Sequence, residues 1–206
     1  MLKILGRKNS SNVQKVLWCC TELGLAFERE DYGGPFGKTR EEPYLTLNPN
    51  SVVPTVIDGD LVLWESNTII RYLAAKHGEG TLFPTDPGAR ALGDRWMDWQ
   101  LSVINKVMPT LFMGLIRTPP EERDNDAIAA ARDALAKTLA ILDRYLGETA
   151  YVAGDDFTVG DIPVGINVYR WFTLDIERED YANLKRWHDL IARRPGYKEH
   201  VDIGLS

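Results

Sequence analysis

The chain opens on a short apolar run, Leu2-Lys3-Ile4-Leu5, and then changes period: from Val13 to Leu23 the apolar residues recur at three- and four-residue spacings, stopping at Gly24. Four residues are too few for a helix, and the second spacing is that of one helix face. The pattern therefore predicts a strand followed by a helix that a glycine closes. Leu25 to Tyr32 predicts a second strand. Val56-Ile57-Asp58-Gly59-Asp60-Leu61-Val62-Leu63 joins two β-rich runs through Asp-Gly, the dipeptide that best fits a tight hairpin turn. Helical spacing returns at Ile69, Ile70, Tyr72 and Leu73, within a helix expected over Ser66 to Lys76 and closed by His77-Gly78.

The stretch from Gly78 to Gly88, GEGTLFPTDPG, is dense in Gly, Pro and Thr and breaks every period, as a linker between domains does. Beyond it no strand pattern appears. Ala91 to Ile116, Asp126 to Leu146, Val159 to Phe172 and Tyr181 to Ala192 are four helical patterns. The expected organisation is an α/β domain over residues 1–77, a linker over 78–88 and an all-helical domain over 89–206. Pro109 is expected to kink the first of the four helices, because proline removes a donor and crowds the preceding turn. Phe157-Thr158-Val159-Gly160-Asp161-Ile162 reads as a helix start: Thr158 the N-cap, Asp161 the reciprocal acceptor, Phe157 and Ile162 a hydrophobic staple.

Composition narrows the functions. With 206 residues, 44% hydrophobic and 26% charged, the chain can bury a core, and its net charge of −6 supplies no broad basic footprint for nucleic acid or an anionic membrane. Small molecules are the expected partners. The two cysteines, Cys19 and Cys20, are adjacent and cannot staple the fold, the N-terminus shows no signal-peptide pattern, and no apolar stretch is long enough to span a bilayer. A reduced, cytoplasmic protein is expected. His77, His188 and His200 stand apart, with no short-spaced ligand set for a metal.

Three segments carry candidate chemistry. Gly6 to Val13 leaves the first strand and enters the first helix, where unpaired N–H groups and the helix dipole favour an anion; Ser10, Ser11 and Asn12 add donors there, although one of them is needed simply as a cap. In Asn48 to Val56, Pro54 stands at the mouth of the hairpin, and a cis Val53–Pro54 bond would turn the Val53 N–H and C=O outward as an edge for a peptide, against the alternative of a plain proline-bounded loop. Trp64 to Leu73 sets Glu65 and Ser66 at a helix start, an arrangement that suits a zwitterion, since Glu65 accepts from an ammonium while Ser66 and nearby N–H groups hold a carboxylate; Glu-Ser is also an ordinary capping pair.

In their order and spacing, the Ser10-Ser11-Asn12 turn, Val53-Pro54, Glu65-Ser66, the linker, the helical region and the Phe157-to-Asp161 box resemble a glutathione S-transferase along the whole chain. The resemblance is to the bacterial, theta-like branch with serine at the active site. It implies a thioredoxin-like domain followed by an α-helical bundle domain, a homodimer, and detoxifying conjugation of glutathione to a small hydrophobic electrophile. It further implies that Val53 pairs with the cysteine moiety, that Pro54 is a cis-proline, and that Glu65 and Ser66 hold the γ-glutamyl end. Ser10 falls where such transferases place the hydroxyl that faces the sulfur, Asn12 where some glutathione-dependent disulfide reductases place an asparagine, and Ser11 lies between. Val52 stands where many relatives carry a basic residue, which leaves Lys38 as the candidate for the glycyl carboxylate. The electrophile pocket is expected around Met97, Leu101, Met108, Phe112 and Arg117, with Trp171 and Phe172.

The task implied for the site is to ionise a thiol whose free pKa is about 8.5. A shift of about 2 units takes about 2.7 kcal/mol of preferential thiolate stabilisation, within reach of a hydroxyl donor and a helix N-terminus. Two other readings compete: disulfide reduction through Asn12, and a non-catalytic binding module on the same fold. A glutaredoxin-like thiol enzyme would place a cysteine where Ser10 and Ser11 stand.

Overall fold

Four strands form one sheet in the order β2-β1-β3-β4: β1 (Leu2–Leu5), β2 (Phe27–Glu30), β3 (Thr55–Asp58) and β4 (Leu61–Trp64). β1 and β2 are parallel, so the chain must cross over between them, and it does so through α1 (Ser11–Glu22). β3 runs antiparallel to both β1 and β4, and Asp58 pairs with Leu61 across the hairpin whose Gly59 takes φ +63°. A short helix, α2 (Glu42–Leu45), precedes β3, and α3 (Ser66–His77) follows β4. The chain is seen here as a computed structural model that describes residues 1–206.

The helical region holds α4 (Pro87–Ser102), α5 (Met108–Phe112), a π turn (Met113–Arg117), α6 (Asn125–Leu146), α7 (Asp161–Thr173) and α8 (Ala182–Ile191), and the chain ends after α9 (Pro195–His200). Two compact units result, residues 1–83 with 195–203, and residues 84–194 with 204–206. This differs from the expected division chiefly at the C-terminus, where α9 belongs with the sheet, and the sheet unit runs on to residue 83. Its Tyr197 ring meets the edge of Trp18 on α1 at 5.3 Å, Thr21 Oγ1 lies 2.8 Å from His200 Nε2, and a Cβ on Gly196 would stand 2.5 Å from the Trp18 ring. With α3 and α9 both packed on it, α1 buries every residue from Val13 to Cys20. An amphipathic reading of α1 cannot show this second apolar contact, because the partner helix lies at the far end of the chain.

The other difference concerns Pro109. The helix expected over 91–116 is interrupted before the proline: Val103 (φ −120°) and Val107 (φ −119°) flank a 3-10 turn at Ile104–Lys106, and Pro109 sits in the first turn of α5. There its missing N–H has no intrahelical partner to lose, so the proline starts a helix rather than kinking one. The linker is also shorter than expected, because α4 begins at Pro87 with Asp86 Oδ1 capping the Ala89 N–H at 2.8 Å.

At the start of α7 the Gly160 backbone rests directly on that of α4. A Cβ on Gly160 would lie 2.8 Å from Gly93 Cα and 2.9 Å from its carbonyl oxygen, and backbone cannot swing aside as a side chain can. Gly160→Ala is expected to destabilise the protein by about 3 kcal/mol, read as a lower urea midpoint at unchanged m. A loss under about 1 kcal/mol would show that this contact yields easily.

Candidate functional site

In the sheet unit, the carboxyl end of β1 feeds the loop before α1. Gly6 and Gly33 make room there for the Val53 side chain: a Cβ on Gly6 would come within 3.3 Å of Val53, and one on Gly33 within 3.2 Å. The Val53–Pro54 peptide is cis. The loop before it is held by a buried network in which Tyr44 Oη and Asn48 Nδ2 donate to the Val52 carbonyl at 2.6 and 2.9 Å, while Thr55 Oγ1 donates to Tyr44 Oη at 2.8 Å. Nothing in the sequence pattern singles out Tyr44, whose part depends on where α2 lies. With Val52 fixed, the Val53 N–H and C=O remain outside both the sheet ladder and the turn bonds, which leaves an unpaired edge for an extended ligand.

Ser10 is the N-cap of α1, with extended φ and ψ of −81° and 123°, yet its hydroxyl makes no capping bond. The residue is 8% exposed, so a hydroxyl donor is held beside the α1 N-terminus without a protein partner. Ser11 is half-buried and Asn12 exposed. Asn12 is engaged elsewhere, its Oδ1 accepting from Ser66 Oγ at 3.3 Å. That bond brings the start of α1 against the start of α3.

At α3, Glu65 adopts φ +69°, a conformation that ordinary side chains seldom take and that tends to be retained where a site needs it. Its exposed carboxylate stands directly before Ser66, which is buried at 5% exposure. Beneath Ser66 lies Lys15, 1% exposed, whose ammonium donates to Ser66 Oγ at 3.3 Å and to Asn67 Oδ1 at 3.0 Å. The sequence pattern does not single out Lys15, because it sits inside the apolar run of α1; a lysine interrupting such a run is the one signal it gives. Lys38, with φ +66°, places its ammonium 5.0 Å from the Tyr32 ring centre and, with Arg40, Thr39 and Ser51, lines an open cavity of about 370 Å³.

The cysteines take no part. Burial pushes the Cys19 thiol well above its ordinary pKa and the Cys20 thiol up to about 12, so neither supplies a thiolate near neutral pH. No group of three or more His, Cys, Asp or Glu side chains gathers as metal ligands, and no helix is long and apolar enough to cross a membrane.

The residues expected around the electrophile fall in the helical unit with different fates. Met97, Met108 and Trp171 have almost no accessible surface and pack as core. Phe112 is buried beneath the Arg170 guanidinium, 4.0 Å from its ring centre, and Arg117 is exposed and donates to the Ser206 carbonyl. Leu101 is exposed, and the Phe172 ring lies tilted against His188, with 4.9 Å between ring centres.

A four-stranded mixed sheet unit with a cis-proline edge, followed by an all-helical unit, defines a thioredoxin-like domain joined to a helical domain. Residues 9–76 match the family described as glutathione S-transferase, N-terminal domain, and residues 103–195 the glutathione S-transferase C-terminal domain. The chain is 39% identical to glutathione S-transferase GstB of Escherichia coli over 208 residues, covering 100% of both. The theta class glutathione S-transferase of Xanthomonas axonopodis pv. citri, solved with glutathione bound, superposes with a TM-score of 0.97 at 47% identity, covering 100% of this chain and 99% of that one. Glutathione transferase F2 of Populus trichocarpa gives 0.85 at 27% identity over 98% of each chain. The chain belongs to the glutathione S-transferase family, and it is a transferase with glutathione as co-substrate.

Proposed function

We propose that this transferase ionises the glutathione thiol with Ser10 and joins the thiolate to a small hydrophobic electrophile. The observation that carries the reading is the Ser10 hydroxyl, held at the α1 N-terminus with no capping bond of its own. A hydroxyl used as a cap would be spent on the helix; this one is free to donate to an anion, and the helix dipole favours the same charge. Ser10 acts as a hydrogen-bond donor, neither base nor nucleophile. The electron pair that forms the new S–C bond comes from the thiolate, the proton leaves to solvent on ionisation, and the electrophile's leaving group departs with its bonding pair.

Around the sulfur, Val53 N–H and C=O pair with the cysteine moiety, the Pro54 cis peptide keeps that edge turned out, Glu65 accepts from the γ-glutamyl ammonium, and Ser66 donates to its carboxylate. Lys38 serves the glycyl carboxylate from the cavity it lines. Phe112 and Arg117 border the electrophile, with Met108 reached only if α5 shifts, because it is 1% exposed. The protein acts as a homodimer, the assembly its family resemblance implies. Asn12, bonded to Ser66, belongs to the γ-glutamyl end rather than to the sulfur.

Titrating the thiolate absorbance of protein-bound glutathione tests this directly. The bound thiol is expected to ionise about 2 pKa units below the free value of about 8.5. A bound but unshifted thiol would support a binding module, and absence of binding would remove the reading altogether.

A further inference from the structure

Lys15 lies outside the set of residues through which glutathione contacts were assigned above, yet it is the most deeply buried ammonium near them. We infer that Lys15 is a positioning residue for the γ-glutamyl carboxylate of glutathione, acting through Ser66. The inference rests on the reading of Glu65 and Ser66 as the γ-glutamyl end of the site.

A hydroxyl has one proton and two lone pairs, and its proton ordinarily rotates to whichever acceptor is nearest. An ammonium can only donate. Ser66 Oγ therefore accepts from Lys15 Nζ at 3.3 Å, which fills one lone pair and directs the hydroxyl proton away from the core. In the protein alone that proton goes to Asn12 Oδ1, also at 3.3 Å. The Asn12 amide oxygen is a neutral acceptor at an exposed position, and a carboxylate arriving there is the stronger one, so the proton transfers its hydrogen bond from Asn12 to the ligand. The bond from Lys15 to Asn67 Oδ1, at 3.0 Å, keeps the ammonium from turning with it. The buried positive charge also acts on the carboxylate across a medium that screens it less than water does.

Burying a lysine costs free energy, and an apolar side chain of similar length would fill the same space without the polar desolvation. Lys15→Met is such a replacement. It is expected to raise the Kd and KM for glutathione about 10-fold, the effect of losing one charge-assisted hydrogen bond, while kcat at saturating glutathione stays within about twofold. The loss is expected to vanish on two backgrounds. In a Ser66→Ala protein, adding Lys15→Met should weaken glutathione no further, and the wild type and Lys15→Met should bind γ-aminobutyryl-cysteinyl-glycine, which lacks the α-carboxylate, equally well.

Calorimetric titration of the dimer with the two peptides measures all of these. An unchanged Kd for Lys15→Met overturns the inference, as does an equal loss for both peptides, which is the result of a purely structural role. Should Lys15→Met melt below the assay temperature, Lys15→Gln, which keeps a donor within reach of Ser66, is expected to restore folding and most of the glutathione affinity; an equal loss of affinity for both peptides in that variant equally overturns the inference. Wild-type protein that fails to bind glutathione at all would strike instead at the reading of the site beneath.

Discussion

Replacing Ser10 by alanine is expected to lower the rate of conjugation to an activated chloronitroarene about 100-fold, equivalent to about 2.7 kcal/mol of lost transition-state and thiolate stabilisation. The Kd for glutathione is expected to change by less than about threefold, because in the proposed site the peptide is held by Val53, Glu65 and Ser66 while the hydroxyl serves only the ionised sulfur. The bound thiol should then titrate near the free value of about 8.5, so that raising the pH recovers part of the lost rate. Stability provides the control. An N-cap serine replaced by alanine usually costs about 1 kcal/mol, but the Ser10 side chain caps nothing, so the melting temperature should hardly move. A fall in stability with unchanged kinetics would return Ser10 to an ordinary cap. Loss of activity on Asn12→Ala instead, measured with glutathione and a mixed disulfide, would favour the reductase.

The second large effect belongs to Asp161, fully buried at the first residue of α7. Its carboxylate accepts from the Val152 N–H at 3.0 Å, the Thr158 N–H at 2.9 Å and Trp187 Nε1 at 2.9 Å, tying the loop before α7 to α8. Asp161→Ala leaves those three buried donors unsatisfied and is expected to cost about 4 kcal/mol, seen in urea unfolding followed by tryptophan fluorescence. Asp161→Asn should recover little, because an amide nitrogen would face one of the same donors. Burial pushes the Asp161 carboxyl up to about 6 from its ordinary 3.8, with the four donor contacts from Thr158, Val152 and Trp187 pulling the other way. The native state therefore binds this proton more tightly than the unfolded chain between those values. The resulting stabilisation is complete below about pH 4 and is lost as the pH rises through 6, a change of about 3 kcal/mol. Subtracting the pH curve of Asp161→Asn from that of the wild type isolates this residue; a flat difference would mean that the carboxyl stays ionised throughout.

Lys15 and the distant partner of Asp161 mark what pattern reading misses. Asp161 is legible in the sequence, because a capping signal is local: it stands three positions after Thr158, and the reach-back bond from the Thr158 N–H forms. Its bond to Trp187 was not visible, since it spans 26 positions and depends on how α7 and α8 pack. The Phe157 ring likewise has neighbours that no local pattern shows, Tyr151 at 5.9 Å and Arg194 at 3.8 Å. Pro109 shows the opposite case: the residue was legible, but whether a proline kinks a helix or opens one depends on where the preceding helix stops, and Val103 ends α4 through its own backbone conformation.

Strand and helix periods, the Asp-Gly hairpin, the linker composition and the order of Ser10, Val53-Pro54 and Glu65-Ser66 are properties of neighbours along the chain, so the sequence by itself determined the fold class and pointed to the candidate site residues. Tertiary structure decided the rest, because it sets contacts between residues far apart in the chain. It joined Asn12 to Ser66 across 54 positions and placed Lys15 beneath that pair, it left the Ser10 hydroxyl without a partner, and it returned α9 to the sheet unit against Trp18. Hydrogen bonds and packing act over a few ångströms whatever the separation in sequence, and only the folded chain says which distant residues share that distance.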